Sequence, residues 1–405
     1  MKTYKCWAAV LLATLSLPNV AASADVTAED CYQQGKSAYG KQEYDLAITA
    51  FEKAIRLDPN LAKAWYARGT AYMSKQEYDK AIADFNEAIR LDPKFAQAYV
   101  NRGIALRSGK NEIDKAISDY NEAIRLNPKL FEAYHCRGDA YWYKNDFDNA
   151  IADYDVAIRL NPKDATAYAN RGGAFAQKRD YDKAIADYSE AIRLNPKYAD
   201  AYYGRGSVYG NKRDFDKAIA EYSEAIRLNP KNADAFYCRG DAYYFKADYR
   251  NTILDNTEAI RLNPKSDAAY CNRAGAYNNL AQFDKAIADC NKALQLNPQR
   301  AHAYYARGAA YAGKGDTAKA LADLDEAIRL DPKLVGAYFA RGVEHEKIAE
   351  YDKAITDYTE AIQLRPKYAD AYYGRAYVYQ QKGDKAKADA DFAKAKELGY
   401  KPKQD

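Results

Sequence analysis

Ten prolines, Pro59, Pro93, Pro128, Pro162, Pro196, Pro230, Pro264, Pro298, Pro332 and Pro366, recur at one constant spacing, and only the step from Pro93 to Pro128 is longer, by a single position. The text between them repeats as well: Ala81 to Pro93 returns, lightly edited, as Ala184 to Pro196 and as Ala218 to Pro230. A unit of roughly 34 residues is too small to bury its own apolar face and must stack on its neighbours. The chain therefore reads as a solenoid, and the unbroken period overrides the two or three domains that 405 residues would otherwise suggest.

Residues 1–24 stand apart from this pattern. Lys2 and Lys5 precede an apolar run from Cys6 to Leu17, followed by Ala22-Ser23-Ala24. That is the order of a secretory signal peptide, with cleavage expected before Asp25. The run is shorter than the roughly 20 apolar residues a spanning helix needs, so no stable membrane span is expected after cleavage. Five cysteines remain in the mature chain, Cys31, Cys136, Cys238, Cys271 and Cys290, an odd number without a CxxC pair, and they read as buried or half-buried thiols. No Asn-x-Ser/Thr sequon occurs, so the expected location is a bacterial periplasm or the medium.

Within residues 62–95, Trp65, Arg68, Gly69 and Tyr72 share one helical stripe, and Ala81, Phe85, Ala88 and Ile89 form a second. The short polar link Ser74-Lys75-Gln76-Glu77 predicts an antiparallel hairpin, which Pro93 ends because the residue before a proline is pushed out of helical geometry. The small Gly69 and Ala81 let the two helices approach closely.

The order Trp65-x-x-Arg68-Gly69-x-x-Tyr72, then Ala81-x-x-x-Phe85, then Pro93, resembles the tetratricopeptide repeat. Eleven copies are counted, at about 28–61, 62–95, 96–130, 131–164, 165–198, 199–232, 233–266, 267–300, 301–334, 335–368 and 369–402, forming one array over 25–405. The resemblance implies an all-α, right-handed superhelical solenoid of antiparallel helix pairs. In that family the first helix of each pair lines a groove that holds a peptide or an extended partner segment.

Three departures from the family pattern shape the reading. Where the family prefers Leu before the glycine, repeats two to eleven carry Arg, and those same ten repeats carry an acid before the aromatic of the second helix. Arg68 with Asp84, Arg205 with Glu221 and Arg239 with Asp255 exemplify the expected ladder of ion pairs between packed helices. Repeat seven has Thr252 and Asn256 in place of Ala and Phe, which marks it as the weakest link. Third, a face off the packing stripe carries large aromatics together with an acid: His135, Asp139, Trp142 and Tyr143 in repeat four, Tyr237, Asp241, Tyr244 and Phe245 in repeat seven, with Tyr203 and Tyr305 on other first helices. Asn101, Asn170 and Asn272 precede the Arg of their repeats, where grooves of this family use Asn to clamp a peptide backbone. Together these side chains are the expected partner-binding groove. Only Lys36, Lys63 and Arg107 add positive charge to it, which disfavours capture of a terminal carboxylate.

No seat for catalysis is visible. His135, His302 and His345 are far apart, Gly313-Lys314-Gly315 falls in a hairpin turn with no preceding strand, and the two Arg-Gly-Asp tripeptides, at 137–139 and 239–241, lie mid-helix on the packing stripe. No metal or cofactor is expected. The 61 basic and 57 acidic residues are interspersed, so no nucleic-acid footprint exists. The expected function is that of an exported, non-enzymatic scaffold binding an extended protein segment. The alternative is an envelope assembly or secretion factor whose aromatic groove stacks polysaccharide.

Overall fold

A computed structural model describes residues 26–401. The expected signal peptide and its cleavage point lie outside the described residues. Among these there are 22 α-helices and no strand. Each repeat contributes a first helix and a second packed antiparallel to it, as Ala62–Ser74 and Tyr78–Leu91 are in repeat two.

The hairpin turn is built the same way every time. One residue per repeat, from Gln42 through Gln76 and Asn111 to Gly383, takes a left-handed conformation just past the first helix. The chain then reverses, as where Glu77 N–H donates to Tyr72 C=O at 2.9 Å. Gly315 takes its φ of +80° without cost, whereas Ala247 and Ala281 carry a Cβ into that region. Between repeats, the Asp or Asn before every one of the recurring prolines but Pro366, which follows Arg365, folds its side chain back onto the backbone. Asp58 accepts from Asn60 N–H at 3.0 Å and Asn195 from Lys197 N–H at 3.1 Å. The one longer step between prolines resolves to the first helix of repeat three, which is extended to Ala96–Lys110.

Small residues sit where helices touch. A Cβ at Gly69 would come 2.8 Å from the Phe85 ring, and one at Gly35 would come 2.4 Å from Phe51. Ala81, Ala116 and Ala150 are fully buried at the facing position. In repeat seven that position is Thr252, also fully buried, whose hydroxyl donates to Gly240 C=O at 3.2 Å and Asp248 C=O at 3.0 Å. Asn256, buried in the aromatic slot, donates its amide to Thr252 C=O at 2.9 Å, while its amide oxygen has no partner.

All ten Arg and acid pairs are in contact. Arg171 is typical: Nε and Nη2 grip both oxygens of Asp187 at 2.8 and 2.7 Å, and Nη1 reaches Asp155 in the preceding repeat at 2.5 Å. Arg68 grips Asp84, Arg205 Glu221 and Arg239 Asp255 in the same hairpin position. Each fork closes its own hairpin, and in most repeats its third nitrogen ties the hairpin to the one before, at Asn86 for Arg102, Ser223 for Arg239 and Asn291 for Arg307. Burial lifts Asp84, Asp153 and Asp187 above the ordinary carboxylate range in spite of their guanidinium partners. Desolvation of these three carboxylates thus offsets part of what their pairs gain.

A second, exposed ladder links neighbouring repeats through the turn lysines, as in Lys75 with Asp45, Lys144 with Asp114 and Lys246 with Asp216. Its partners are lost together: Arg250 replaces the acid where Leu280 replaces the lysine, and Ala318 does so where Ile348 does.

The chain divides into two compact units, Met1–Gly204 and Arg205–Asp405. The first helices of repeats one to five, and those of repeats seven to eleven, touch one another in succession, whereas among the described residues no two second helices of successive repeats come as close. The first-helix layer is thus the crowded inner layer of each unit. The five cysteines of the described residues are free thiols, and no described helix is long and apolar enough to cross a membrane.

Candidate functional site

One geometric relationship recurs three times in the inner layer: the side chain four residues after a repeat's small residue meets the residue immediately after the small residue of the next repeat. In the first unit, Arg107 of repeat three meets Asp139 of repeat four in this way, with Nη1 3.2 Å from Oδ2. Trp142 of repeat four then meets Gly173 of repeat five, where a Cβ would stand 3.2 Å from the indole. In the second unit Tyr244 meets Gly275 at the same 3.2 Å. Large rings lie on the inner layer where the next repeat offers a glycine to receive them.

Asp139 is the hub of a buried polar network in repeats three to five. Besides Arg107, it accepts from Tyr154 Oη and from Asn170 Nδ2, both at 2.9 Å, and His135 Nε2 lies 3.7 Å away. His135 Nδ1 is 3.0 Å from Asp164, which caps the first helix of repeat five (Ala165–Gln177) by accepting from Thr166 N–H. Burial alone would lower the His135 pKa, but the Asp139 and Asp164 carboxylates outweigh it and hold the ring above the ordinary imidazole value. Burial pushes the neighbouring Cys136 thiol up to about 12, which keeps it inert.

This arrangement corrects the groove expected from the sequence. His135 and Asp139 are 3 % and 8 % exposed, so they are interior groups consumed by one another and not groove side chains. Asn101 is buried too, donating to Tyr66 Oη at 2.9 Å, and Asn170 is spent on His135 and Asp139. The physical reason is the crowding of the inner layer, which places the residue before each Arg against the preceding first helix. Trp142 is half-buried between Gly173 and Phe147, its ring edge-on to Phe147 at 5.2 Å. Tyr143 is exposed beneath Arg107, whose guanidinium carbon is 5.5 Å from the ring centre. Tyr203 lies half-buried near the end of the first unit.

In the second unit Tyr237 and Asp241, the counterparts of His135 and Asp139, are more open. Tyr237, Asp241, Tyr244, Asn272 and Tyr305 are all half-buried. Asn272 donates to Asp241 at 3.3 Å, and Asn279 to Tyr244 Oη at 3.3 Å. Burial raises the Asp241 pKa, and burial next to that carboxylate raises Tyr237 to about 12. Arg300, which is 3.5 Å from Asp267, adds a positive field at Tyr237 and Cys271. Phe245 is 55 % exposed and stacks on Phe215 at 5.0 Å with the rings 7° apart.

Sequence reasoning did not foresee Asp164, Tyr154, Arg300 or the pairing of Arg107 with Asp139. A signal for the ring contacts was present: Gly173 and Gly275 occupy the same slot in the repeats that follow Trp142 and Tyr244. Among the described residues no group of three His, Cys, Asp or Glu side chains is placed to hold a metal ion.

Family models described as tetratricopeptide repeat match residues 32–94, 66–130, 137–199, 188–220, 268–300, 301–334 and 369–398, and one described as TPR repeat matches 214–245 and 350–383. Comparison with curated proteins found no match. Among solved structures, a chain of the APC/C hetero-tetramer Cut9–Hcn1 is 16 % identical, with a TM-score of 0.54 over 94 % of this chain and 88 % of that one. A tetratricopeptide repeat protein from Parabacteroides merdae is 21 % identical, with a TM-score of 0.50 over 61 % of this chain and 98 % of its own. YrrB, described as having an unusual peptide-binding site, is 29 % identical over 46 % of this chain and 97 % of its own, with a TM-score of 0.42.

Proposed function

Because the chain belongs to the tetratricopeptide repeat family, we propose that it is an exported, non-enzymatic scaffold that holds an extended segment of a partner protein along the inner layer of its second unit. The observation that carries this is the contrast between the two units. In repeats three to five Arg107, His135, Asp139, Tyr154 and Asn170 engage one another, whereas in repeats seven to nine Tyr237, Asp241, Asn272 and Tyr305 stay half-buried with hydrogen-bonding capacity unspent. A segment lying there gains what buried polar groups otherwise lack: the amide of Asn272 and the phenols of Tyr237 and Tyr305 can each pair with a peptide backbone. Aromatic side chains add contact area at low entropy cost. Export rests on the signal-like segment 1–24.

A photo-crosslinking amino acid at position 305, compared with one at the exposed Leu254 of the second-helix layer, tests this in periplasmic extract. A defined protein adduct from 305 and none from 254 is expected. Equal labelling from both positions, or recovery of oligosaccharide in place of protein, overturns the reading.

A further inference from the structure

Repeats four and seven carry the same short phrase, Cys136-Arg137-Gly138-Asp139-Ala140-Tyr141 and Cys238-Arg239-Gly240-Asp241-Ala242-Tyr243, and Asn170 and Asn272 follow at the same distance. The two aspartates therefore begin from equivalent backbone positions, and what surrounds them can be compared group by group. Asp139 has three strong partners: the Arg107 guanidinium, the Tyr154 hydroxyl and the Asn170 amide. Asp241 keeps one, the Asn272 amide, at the longer distance of 3.3 Å.

Both losses trace to single residues. The position of Arg107 is taken by Gly210, where a Cβ would meet nothing nearer than Tyr222 Oη at 3.7 Å. The position of Tyr154 is taken by Asn256, whose amide is turned to Thr252 and whose oxygen is a buried acceptor with no donor. Among the described residues no side-chain cation stands within ion-pair distance of Asp241, and burial is what lifts its pKa. A half-buried carboxylate stripped of its counter-charge is costly to keep. Tyr237 and Tyr244 lie close enough to feel its field and supply aromatic walls.

We propose that Asp241 anchors a cation pocket in repeats six to eight that takes an arginine side chain of the bound segment, its guanidinium standing where Arg107 stands in repeats three to five. The first unit carries this site permanently plugged by its own arginine, and the second carries it open. A planar fork with five N–H donors suits a carboxylate flanked by aromatic faces better than a point-charge ammonium does. The pocket gives the proposed groove a sequence preference, and in that respect it rests on the protein-binding reading.

The test uses the full mature chain and two probes. N-acetylarginine amide, with N-acetylglutamine amide as the uncharged control, is titrated while the side-chain amide signal of Asn272 is followed by NMR. An arginine-specific shift is expected, lost in Asp241→Asn and in Gly210→Arg, which implants the plug of the first unit. A shift equal for both probes, or one that survives in both variants, overturns the pocket. An array of short random peptides is then probed with the same proteins. Enrichment of arginine with wild type, falling at least fivefold in both variants, is expected, and binding without arginine preference overturns the pocket while leaving the groove. Failure of all peptides to bind, with the NMR shift intact, removes the groove reading and leaves the pocket. Far-UV circular dichroism of each variant must match wild type, and Asp241→Asn, which is isosteric, keeps the test decisive if Gly210→Arg misfolds.

Discussion

Asp139 and Asp241 stand at the same position of their repeats, yet Arg107 lies 3.2 Å from the first, and the residue at the Arg107 position of the repeat before Asp241 is Gly210. One substitution should therefore have opposite effects at the two sites. Asp139→Asn leaves the buried Arg107 without its counter-charge and should destabilise the first unit by about 3 kcal/mol. Asp241→Asn removes a carboxylate whose pKa burial raises. A raised carboxylate pKa means the native state holds the proton more tightly, so the ionised form opposes folding at neutral pH and the opposition fades as pH falls. Asp241→Asn should raise the melting temperature at pH 7 by about 2 °C and gain nothing near pH 3. Differential scanning calorimetry of the two variants checks this, and loss of stability in both would mean that Asp241 is as well served as Asp139.

The Arg ladder makes a second pair of variants informative. Arg137 forks onto Asp153 at 2.8 and 2.7 Å, and burial still lifts that carboxylate. Arg137→Ala should cost about 3 kcal/mol locally, because Asp153 is left charged and buried. Native-state hydrogen exchange over residues 147–160 should then quicken about a hundredfold. Arg137→Met with Asp153→Leu should restore most of the protection, since the desolvation penalty disappears with the pair. A double variant as labile as the single one would show that the pair is a net source of stability.

How much of this could be read beforehand follows from where each contact sits in the repeat. The hairpins, the small-to-aromatic packing of Gly69 on Phe85 and the Arg to acid pairs all recur at one fixed spacing, so the correlation between Arg68 and Asp84 was visible in the sequence. The Asp139 network was not, because it joins three repeats and occurs once. Of its members Arg107, His135, Asp164 and Asn170, only Asn170 stands at a place that recurs, with Asn101 and Asn272, whereas Arg107, His135 and Asp164 stand out from the other repeats. Their burial depends on how closely successive first helices approach, which the repeat period does not specify. The same approach turns Trp142 from a free groove ring into a partner of Gly173.

Repeat seven should be the first part of the second unit to open. Thr252 and Asn256 fill the slots that Ala218 and Tyr222 fill in repeat six, and the Asn256 oxygen is buried without a donor. Amide exchange should be faster over 249–262 than over 215–228, because stability in a solenoid is a sum of local terms. Thr252→Ala with Asn256→Tyr should reverse the order, adding about 2 kcal/mol through ring burial. The new hydroxyl would also lie where Tyr154 serves Asp139, so this variant should bind N-acetylarginine amide more weakly. Equal protection of the two helices in wild type would dismiss the weak link.

The first unit should carry a pH dependence centred on His135. The groups facing it are Asp139 on its own helix, Asp164 at the end of repeat four, Asn170 from repeat five, Arg107 from repeat three, Tyr154 from the second helix, and the nearby Glu132. The two aspartates together hold the native imidazole pKa above its ordinary value. A raised histidine pKa means protonation favours the native state, so the contribution is complete below the unfolded value of about 6.5 and is lost as pH climbs through the native one. Above that range a neutral ring faces Asp139 and Asp164 and supplies them no charge. Wild type should therefore lose about 2 °C of melting temperature relative to His135→Gln between pH 6 and pH 9. Thermal melts of both proteins at four pH values measure this, and parallel curves would mean that Arg107 alone balances the two carboxylates.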